Sequence, residues 1–275
     1  MRVVQKTNNN IEVADNECIS GIDFETVLES MCAETRQILT VQKMTLEALI
    51  VQESLDDSEK VRIARRAYHQ QLRRCSNVEY LLQLKKKEAC LRLEYANFVA
   101  LCSNLIQTID HLMRRTGVRV TFQTRLHSLA MWIDTWKIHK LLLNLIFNSL
   151  QHMQMGDNLH VTLSCQGEAG VVTLRDMSKG ILADPFERFE QRVVGTDLGM
   201  AISSEIAKLH DGALMFTSPK GKGMIVTVKL PIRPPVTEQH VNLMGYVETD
   251  NVMSLIVTEL SDVLDDKAFS SVYQD

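Results

Sequence analysis

The feature that most constrains this sequence is a pair of long amphipathic helical patterns near its N-terminus. From about residue 22 to residue 52, apolar side chains recur at helical spacing, and neither glycine nor proline interrupts them. A second apolar stripe runs from Val61 to Leu82. The polar segment Ser54–Ser58 separates the two patterns and predicts a short turn with a helix N-cap. Two such helices joined by a turn form an antiparallel hairpin.

The two stripes carry more apolar surface than one hairpin can bury between its own helices. Pairing with a second copy into a four-helix bundle would cover the remainder, so we expect residues 21–85 to form a homodimer. The alternative is that the hairpin packs against the rest of its own chain. We expect His69 on the surface of the second helix, among four arginines opposite the apolar stripe. These are Arg65, Arg66, Arg73 and Arg74.

Beyond residue 86, helical and strand patterns alternate. Helices are predicted over residues 99–115, 138–152 and 199–209, and strands over 117–122, 161–163, 171–174, 215–217 and 225–230. This arrangement predicts an α+β fold, in which residues 86–231 form an α/β sandwich with helices on one face of a sheet. Residues 1–20 are polar and predict a flexible arm. Residues 232–275 form a C-terminal tail with one apolar stretch, Met253–Leu260, to which the sequence assigns no role.

Composition limits the kinds of partner. The 275 residues carry a formal net charge of −4, which gives no general attraction to nucleic acid. No run of 18 apolar residues occurs, and the N-terminus lacks a basic segment followed by an apolar stretch, so we expect neither a membrane span nor a signal peptide. The six cysteines are scattered without a Cys-x-x-Cys pair, which is typical of reduced thiols in a cytoplasmic protein.

Four short motifs follow one another from residue 134 onward. The first places Asn144 and Asn148 on a strongly apolar helix. The others are Asp176-Met-Ser-Lys-Gly180 after a strand, Pro185-Phe-Glu-Arg-Phe189, and Gly195-Thr-Asp-Leu-Gly199 before a helix. Their order and spacing behind a helical hairpin resemble the N, G1, F and G2 boxes of the sensor histidine kinase family, whose ATP-binding domain is of the GHKL type. The resemblance covers about residues 22–231.

This resemblance implies a site for ATP and Mg²⁺. An asparagine on an apolar helix offers a neutral oxygen to Mg²⁺, and the resemblance gives that role to Asn148. Asp176 would accept a hydrogen bond from the adenine amino group. The other implied nucleotide-binding residues are Asn144, Gly180, Arg192, Gly195 and Gly199. The alternatives are that Asn148 is a buried amide that ties helix to sheet, and that Asp176 is a turn aspartate.

The sequence departs from the family pattern at positions that carry the chemistry. The phosphoacceptor histidine of the family's first helix is replaced by Ala33, although its acidic neighbour is kept as Glu34. That helix contains no other histidine. Ser178 and Asp197 stand where the family has glycines, which puts bulk near the adenine and a negative charge near the phosphates. We therefore expect a weakened ATP site and no autophosphorylation.

Two functional hypotheses of different classes follow. The first is a regulatory scaffold, or pseudokinase, of two-component-type signalling that keeps a weakened nucleotide site. Its partner would be a response regulator or an active histidine kinase. The alternative is an active kinase that transfers the γ-phosphate of ATP to a partner protein in trans, which the retained Asn148 and Asp176 favour. A third version is a transmitter whose sensory input is another protein.

Overall fold

The N-terminal hairpin is present in the computed structural model, which describes residues 24–53, 59–85, 90–176, 198–217, 224–232 and 249–271. Helix α1 (Phe24–Glu53) packs along helix α2 (Glu59–Lys85), as the two apolar stripes predict. Cys32, Leu39 and Cys75 are buried between them, with Tyr68, Leu72 and Val78 packed around this small core. The predicted turn at residues 54–58 lies outside the described residues.

A five-stranded sheet forms the body of the second region. Its strands are β2 (Arg119–Thr124), β4 (Asn158–Gln166), β5 (Ala169–Asp176), β6 (Ala213–Thr217) and β7 (Ile225–Pro231), in the order β2-β4-β5-β7-β6. The β2–β4 pair is parallel and the other three pairs are antiparallel. A separate two-stranded ribbon joins β1 (Glu94–Asn97) to β3 (Ala130–Ile133). The sequence patterns predict the strands of the large sheet and miss the two four-residue strands of the ribbon.

Three helices pack against the sheet: α3 (Phe98–Met113), α4 (Thr135–Leu150) and α5 (Leu198–Leu209). Leu159, Val161 and Leu163 of β4 are buried in the core that these helices cover, while the alternate residues Thr162 and Ser164 are exposed. One face of this strand is therefore covered, as a period of two requires. The predicted α+β fold, with a helical hairpin followed by an α/β sandwich, is confirmed. Among the described residues, no helix is both long and apolar enough to cross a membrane.

The apolar stretch near the C-terminus is helical and packs into the main core. It forms α6 (Thr249–Glu259), which is followed by a short helix, α7 (Ala268–Ser271). Five apolar side chains of this segment are at most 2% exposed: Ile256, Val257, Leu260, Leu264 and Phe269. Each large apolar side chain contributes about 1.5–3 kcal/mol when it is fully buried, so this segment stabilises the domain substantially.

The position of His69 on the surface is a wrong prediction. His69 is 2% exposed, and its arginine neighbours Arg65 and Arg73 are 4% and 8% exposed. The reason is that the C-terminal segment covers this face of α2, and α2 also packs against α5. The alternative that the hairpin packs against its own chain thus holds for α2.

Replacing His69 with glutamine tests this burial through its pH dependence. Burial lowers the pKa of His69 to about 4, and nearby Lys43 and Arg65 add to the shift. In the unfolded chain the pKa is about 6.5, so between these two values only the unfolded chain binds the proton. This contribution to stability is present above about pH 6.5 and is lost toward pH 4, at about 1.4 kcal/mol per pH unit.

We expect the unfolding free energy of the wild type, measured by urea denaturation, to fall more steeply with decreasing pH than that of His69→Gln. The two curves should converge as the pH falls from about 6.5 to about 5. Parallel curves over this range would contradict the buried, neutral imidazole.

Candidate functional site

Helix α4 is enclosed on nearly all sides. Fourteen of its sixteen residues are buried, and it packs against α5 and α6 and contacts β5. A helix that is apolar around its whole circumference belongs in a protein interior. Any polar side chain that points from such a helix needs a partner, because burying an amide without a hydrogen bond is costly.

The start of α4 is fixed by hydrogen bonds. Asp134 caps the helix: its carboxylate accepts from the backbone N–H of Lys137 at 3.0 Å and from the Lys137 ammonium at 2.7 Å. The backbone N–H of Asp134 donates to Nε2 of His210 at 3.1 Å, and Nδ1 of His210 donates to the carbonyl of Ile206 at 2.8 Å. These bonds require a neutral imidazole, and burial lowers the pKa of His210 accordingly. The start of α4 is thereby tied to the end of α5.

Asn144 and Asn148 lie one turn apart on α4, with 0% and 4% of their surface exposed. Neither the oxygen nor the nitrogen of either amide has a hydrogen-bond partner among the described residues. An unsatisfied buried polar group costs about 1–3 kcal/mol, and four such atoms lie together here. Among the described residues, the Asn148 amide therefore makes no hydrogen bond that would tie the helix to the sheet. The pair fits a polar ligand, because amide oxygens suit Mg²⁺ and amide N–H groups suit phosphate oxygens.

By contrast, the amide of Asn77, also buried, accepts a hydrogen bond from Nζ of Lys140 at 2.6 Å. This shows what a satisfied interior asparagine looks like in the same chain. Asn144 and Asn148 differ from it, because both polar atoms of each amide are without a partner among the described residues.

Asp176 and Gly199 lie on two elements that contact α4. Asp176 ends β5, is 7% exposed, and its backbone N–H donates to the carbonyl of Met224 at 3.0 Å. Gly199 lies buried in the first turn of α5, where its carbonyl accepts a hydrogen bond from the Ser203 hydroxyl at 2.8 Å. Because α4 packs on α5 and contacts β5, the structure brings together the elements that carry the predicted residues Asn144, Asn148, Asp176 and Gly199.

Three predicted nucleotide-binding residues, Gly180, Arg192 and Gly195, lie outside the described residues, and so do Ser178 and Asp197. Ala33 and Glu34 are on α1, and both are exposed. Within the described ranges, no group of three or more His, Cys, Asp and Glu side chains is arranged to hold a metal. A magnesium ion at this site would depend on Asn148 and on the ligand itself, which suits Mg²⁺ because it often binds through few protein ligands and substrate phosphates.

Sequence reasoning missed one polar group on the same helix. Lys140 is buried in α4 and forms an ion pair with Glu259 of the C-terminal segment. The presence of a lysine within the apolar pattern of α4 could have indicated a buried ion pair. Its partner, however, is 119 positions away, so the sequence pattern could not identify it.

Comparison with known proteins connects this geometry to a family. Residues 133–234 match the family described as histidine kinase-, DNA gyrase B- and HSP90-like ATPase. The matched range contains α4, the end of β5 and α5. The described residues of the candidate nucleotide site therefore all fall inside the matched range. These are Asn144, Asn148, Asp176 and Gly199.

A curated relative and two solved structures extend the similarity. The sensor histidine kinase RppB of Synechocystis is 33% identical over 112 residues, which cover 37% of this chain and 25% of RppB. Full-length ShkA, solved in complex with AMPPNP, has a TM-score of 0.60 and 17% identity, covering 77% of this chain and 46% of that chain. The histidine kinase ThkA, solved in complex with the response regulator TrrA, has a TM-score of 0.51 and 18% identity, covering 76% of this chain and 63% of that chain. At these identities the two structures show a shared fold.

Proposed function

We propose that the chain, whose residues 133–234 match the histidine kinase-, DNA gyrase B- and HSP90-like ATPase family, is a regulatory scaffold of the sensor histidine kinase family that binds nucleotide without phosphorylating itself. The match covers a quarter of RppB, so the activity of a whole sensor kinase does not transfer with it. The proposal rests instead on the chemistry of the residues at two places, α4 and α1.

The observation that carries nucleotide binding is the unpartnered amide pair on α4. Asn144 and Asn148 are buried without hydrogen bonds, an arrangement that costs stability unless a ligand completes it. We assign Asn148 to Mg²⁺, and Asp176, at the end of β5, to the adenine amino group. Gly199, in the first turn of α5, would let a phosphate approach the helix N-terminus closely. The fold shared with ShkA, which was solved with AMPPNP, supports this assignment.

The loss of autophosphorylation rests on the hairpin. Ala33 occupies the position at which the family pattern places the phosphoacceptor histidine, and its methyl group cannot attack a phosphate. Glu34 beside it is exposed, and Arg36 on the next turn pairs with Glu79 of α2. The helix therefore keeps the polar surroundings of an acceptor site and lacks the nucleophile.

The second candidate is an active kinase that transfers the γ-phosphate of ATP to a partner in trans. The retention of Asn148 and Asp176 together favours this reading, because a chain that had lost all use for nucleotide would gain stability by replacing an unsatisfied buried amide. Asn144 argues against ATP hydrolysis, because it stands where gyrase-type ATPases carry a general-base glutamate.

Labelling with γ-labelled ATP and Mg²⁺ separates the candidates. We expect no acid-labile phosphate on the natural chain, because position 33 offers no imidazole. Ala33→His is the matched variant: label on this variant alone would place the defect at the acceptor. Acid-labile label on the natural chain would contradict the proposal, and label on an added partner protein would favour the kinase in trans.

We further propose that the chain is a homodimer through α1. Met31, Ile38, Val41 and Met44 are each more than half exposed, and Val27 is 38% exposed. Val27, Met31, Ile38 and Val41 recur at helical spacing, so they form one apolar stripe on the side of α1 that α2 leaves open. A second copy of this hairpin presents the same stripe and would bury it in a four-helix bundle.

Substituting Ile38 with glutamate tests this interface. A charge in the middle of the apolar stripe should convert a dimer into a monomer, as measured by size-exclusion chromatography with light scattering. Thr40→Glu is the matched control, because two positions along a helix place it roughly on the opposite side, where it is also exposed. A monomeric natural chain, or equal dimerisation of both variants, would contradict the interface.

As a scaffold, the chain needs a protein partner. ThkA, which shares the fold, was solved in complex with the response regulator TrrA. We propose a response regulator as the partner here, held without phosphotransfer. An active histidine kinase is the other candidate, because the open stripe on α1 could pair with a related hairpin as well as with its own copy.

A further inference from the structure

The C-terminal segment lies between the hairpin and the ATP-binding domain and contacts both. We define this segment as residues 249–271. It packs against α2 and α4, and its apolar side chains Ile256, Leu260 and Phe269 are buried in the core of the domain. Its polar side chains face the basic side of α2. The segment thus has one apolar side and one acidic side, each matched to a different part of the chain.

Among the described residues, four side chains of α2 form polar contacts with this segment. Arg66 pairs with Asp266 at 2.8 Å and also donates to the carbonyls of Ser261 and Asp262, just beyond the end of α6. Arg65 donates to the carbonyl of Phe269 at 3.3 Å, and Nδ1 of His69 lies 2.9 Å from the Thr258 hydroxyl. The fourth residue, Arg73, enters the ion cluster described next. Cationic side chains stabilise the free carbonyl groups at a helix C-terminus. The hydrogen bonds from Arg66 therefore favour this position of the segment against α2.

At the centre of this contact, Glu259 joins the C-terminal segment to α2 and α4 through a buried ion cluster. Its carboxylate, 1% exposed, pairs with Arg73 of α2 at 3.3 Å and with Lys140 of α4. Arg73 also reaches Asp262 at 3.3 Å and stacks on the ring of Phe147, with its guanidinium carbon 3.5 Å from the ring centroid. Without Glu259, two buried cations from different parts of the chain would face each other with no buried counter-charge.

From this arrangement we propose that residues 249–271 are an intramolecular clamp that locks α2 of the hairpin onto α4 of the ATP-binding domain. While the clamp is seated, the domain keeps one position on the hairpin, and it can move along the hairpin only when the clamp releases. The clamp therefore contacts α4, the helix that carries the proposed nucleotide site. The clamp stands on the contacts of these residues and does not depend on nucleotide binding.

Amide hydrogen exchange on the full-length chain tests the clamp through Glu259→Gln, which removes the charge and keeps the shape. The amides of Leu260 and Leu264 are hydrogen-bonded within the segment, and the β4–β5 amides report on the sheet. We expect the segment amides to exchange about tenfold faster or more in the variant, while the sheet amides stay nearly unchanged. Glu205→Gln is the matched control, because Glu205 pairs with Lys208 on the exposed side of α5.

Asp262→Asn is a second, milder variant, which keeps the test valid if Glu259→Gln unfolds the whole chain. Asp262 is at the rim of the cluster, with 32% of its side chain exposed, so its loss should loosen the segment to a smaller degree without unfolding the sheet. Equal acceleration of sheet and segment amides in both variants would overturn the clamp, since the segment would then be an inseparable part of the core. Unchanged exchange in both variants would overturn it as well.

A second measurement gives the distance between the ATP-binding domain and the hairpin directly. Spin labels on the exposed Cys165 of β4 and on Thr40→Cys of α1, with Cys18 and Cys90 replaced by serine, give a distance between domain and hairpin. Diluting labelled chains into an excess of unlabelled ones restricts the signal to pairs within one chain. We expect a narrow distance distribution that broadens in Glu259→Gln and stays narrow in Glu205→Gln. An equally narrow distribution in all three proteins would contradict the lock.

Discussion

The enclosure of α4 is the constraint on which the rest of the structure depends. A helix buried on all sides must satisfy each polar group that it carries, and α4 carries Lys140, Asn144 and Asn148. Lys140 is paired with Asn77 of the hairpin and with Glu259 of the C-terminal segment. These two contacts hold the hairpin and the segment against the domain. The two asparagines have no such partner among the described residues. Through Lys140, α4 therefore holds the hairpin and the C-terminal segment on the domain. Its two unpartnered asparagines mark the place where a ligand would bind.

This division of polar groups is the basis of the proposed scaffold function. In the proposed function, the asparagine face binds a nucleotide, and the hairpin carries Ala33 where the family pattern has its phosphoacceptor histidine. The apolar stripe on α1 remains open for a second chain. We expect regulation to act through these protein surfaces rather than through phosphate transfer to the chain itself.

Much of this fold could be predicted from the sequence, because periodicity reports burial directly. The uninterrupted patterns of α1, α2 and α4, the alternation in β4 and the β-branched run Val171–Thr173 in β5 are enough to identify each element. Strands β1 and β3 have four residues each, too few for a period to appear. The burial of His69 could not be predicted, because its partner Thr258 is 189 positions away. Asn144 and Asn148 were identifiable from their motif, but their lack of hydrogen bonds is a property of three-dimensional packing.

Calorimetric titration with Mg²⁺ and AMPPNP tests the central claim, that the unpartnered amides of α4 form a nucleotide site. The natural chain should bind, and Asn148→Leu should give no heat while its ligand-free stability is no lower, because the amide that it replaces has no partner to lose. Asn77→Leu, which removes a satisfied amide, should lower stability instead. No heat and no thermal shift with the natural chain, or equal binding by Asn148→Leu, would contradict the account.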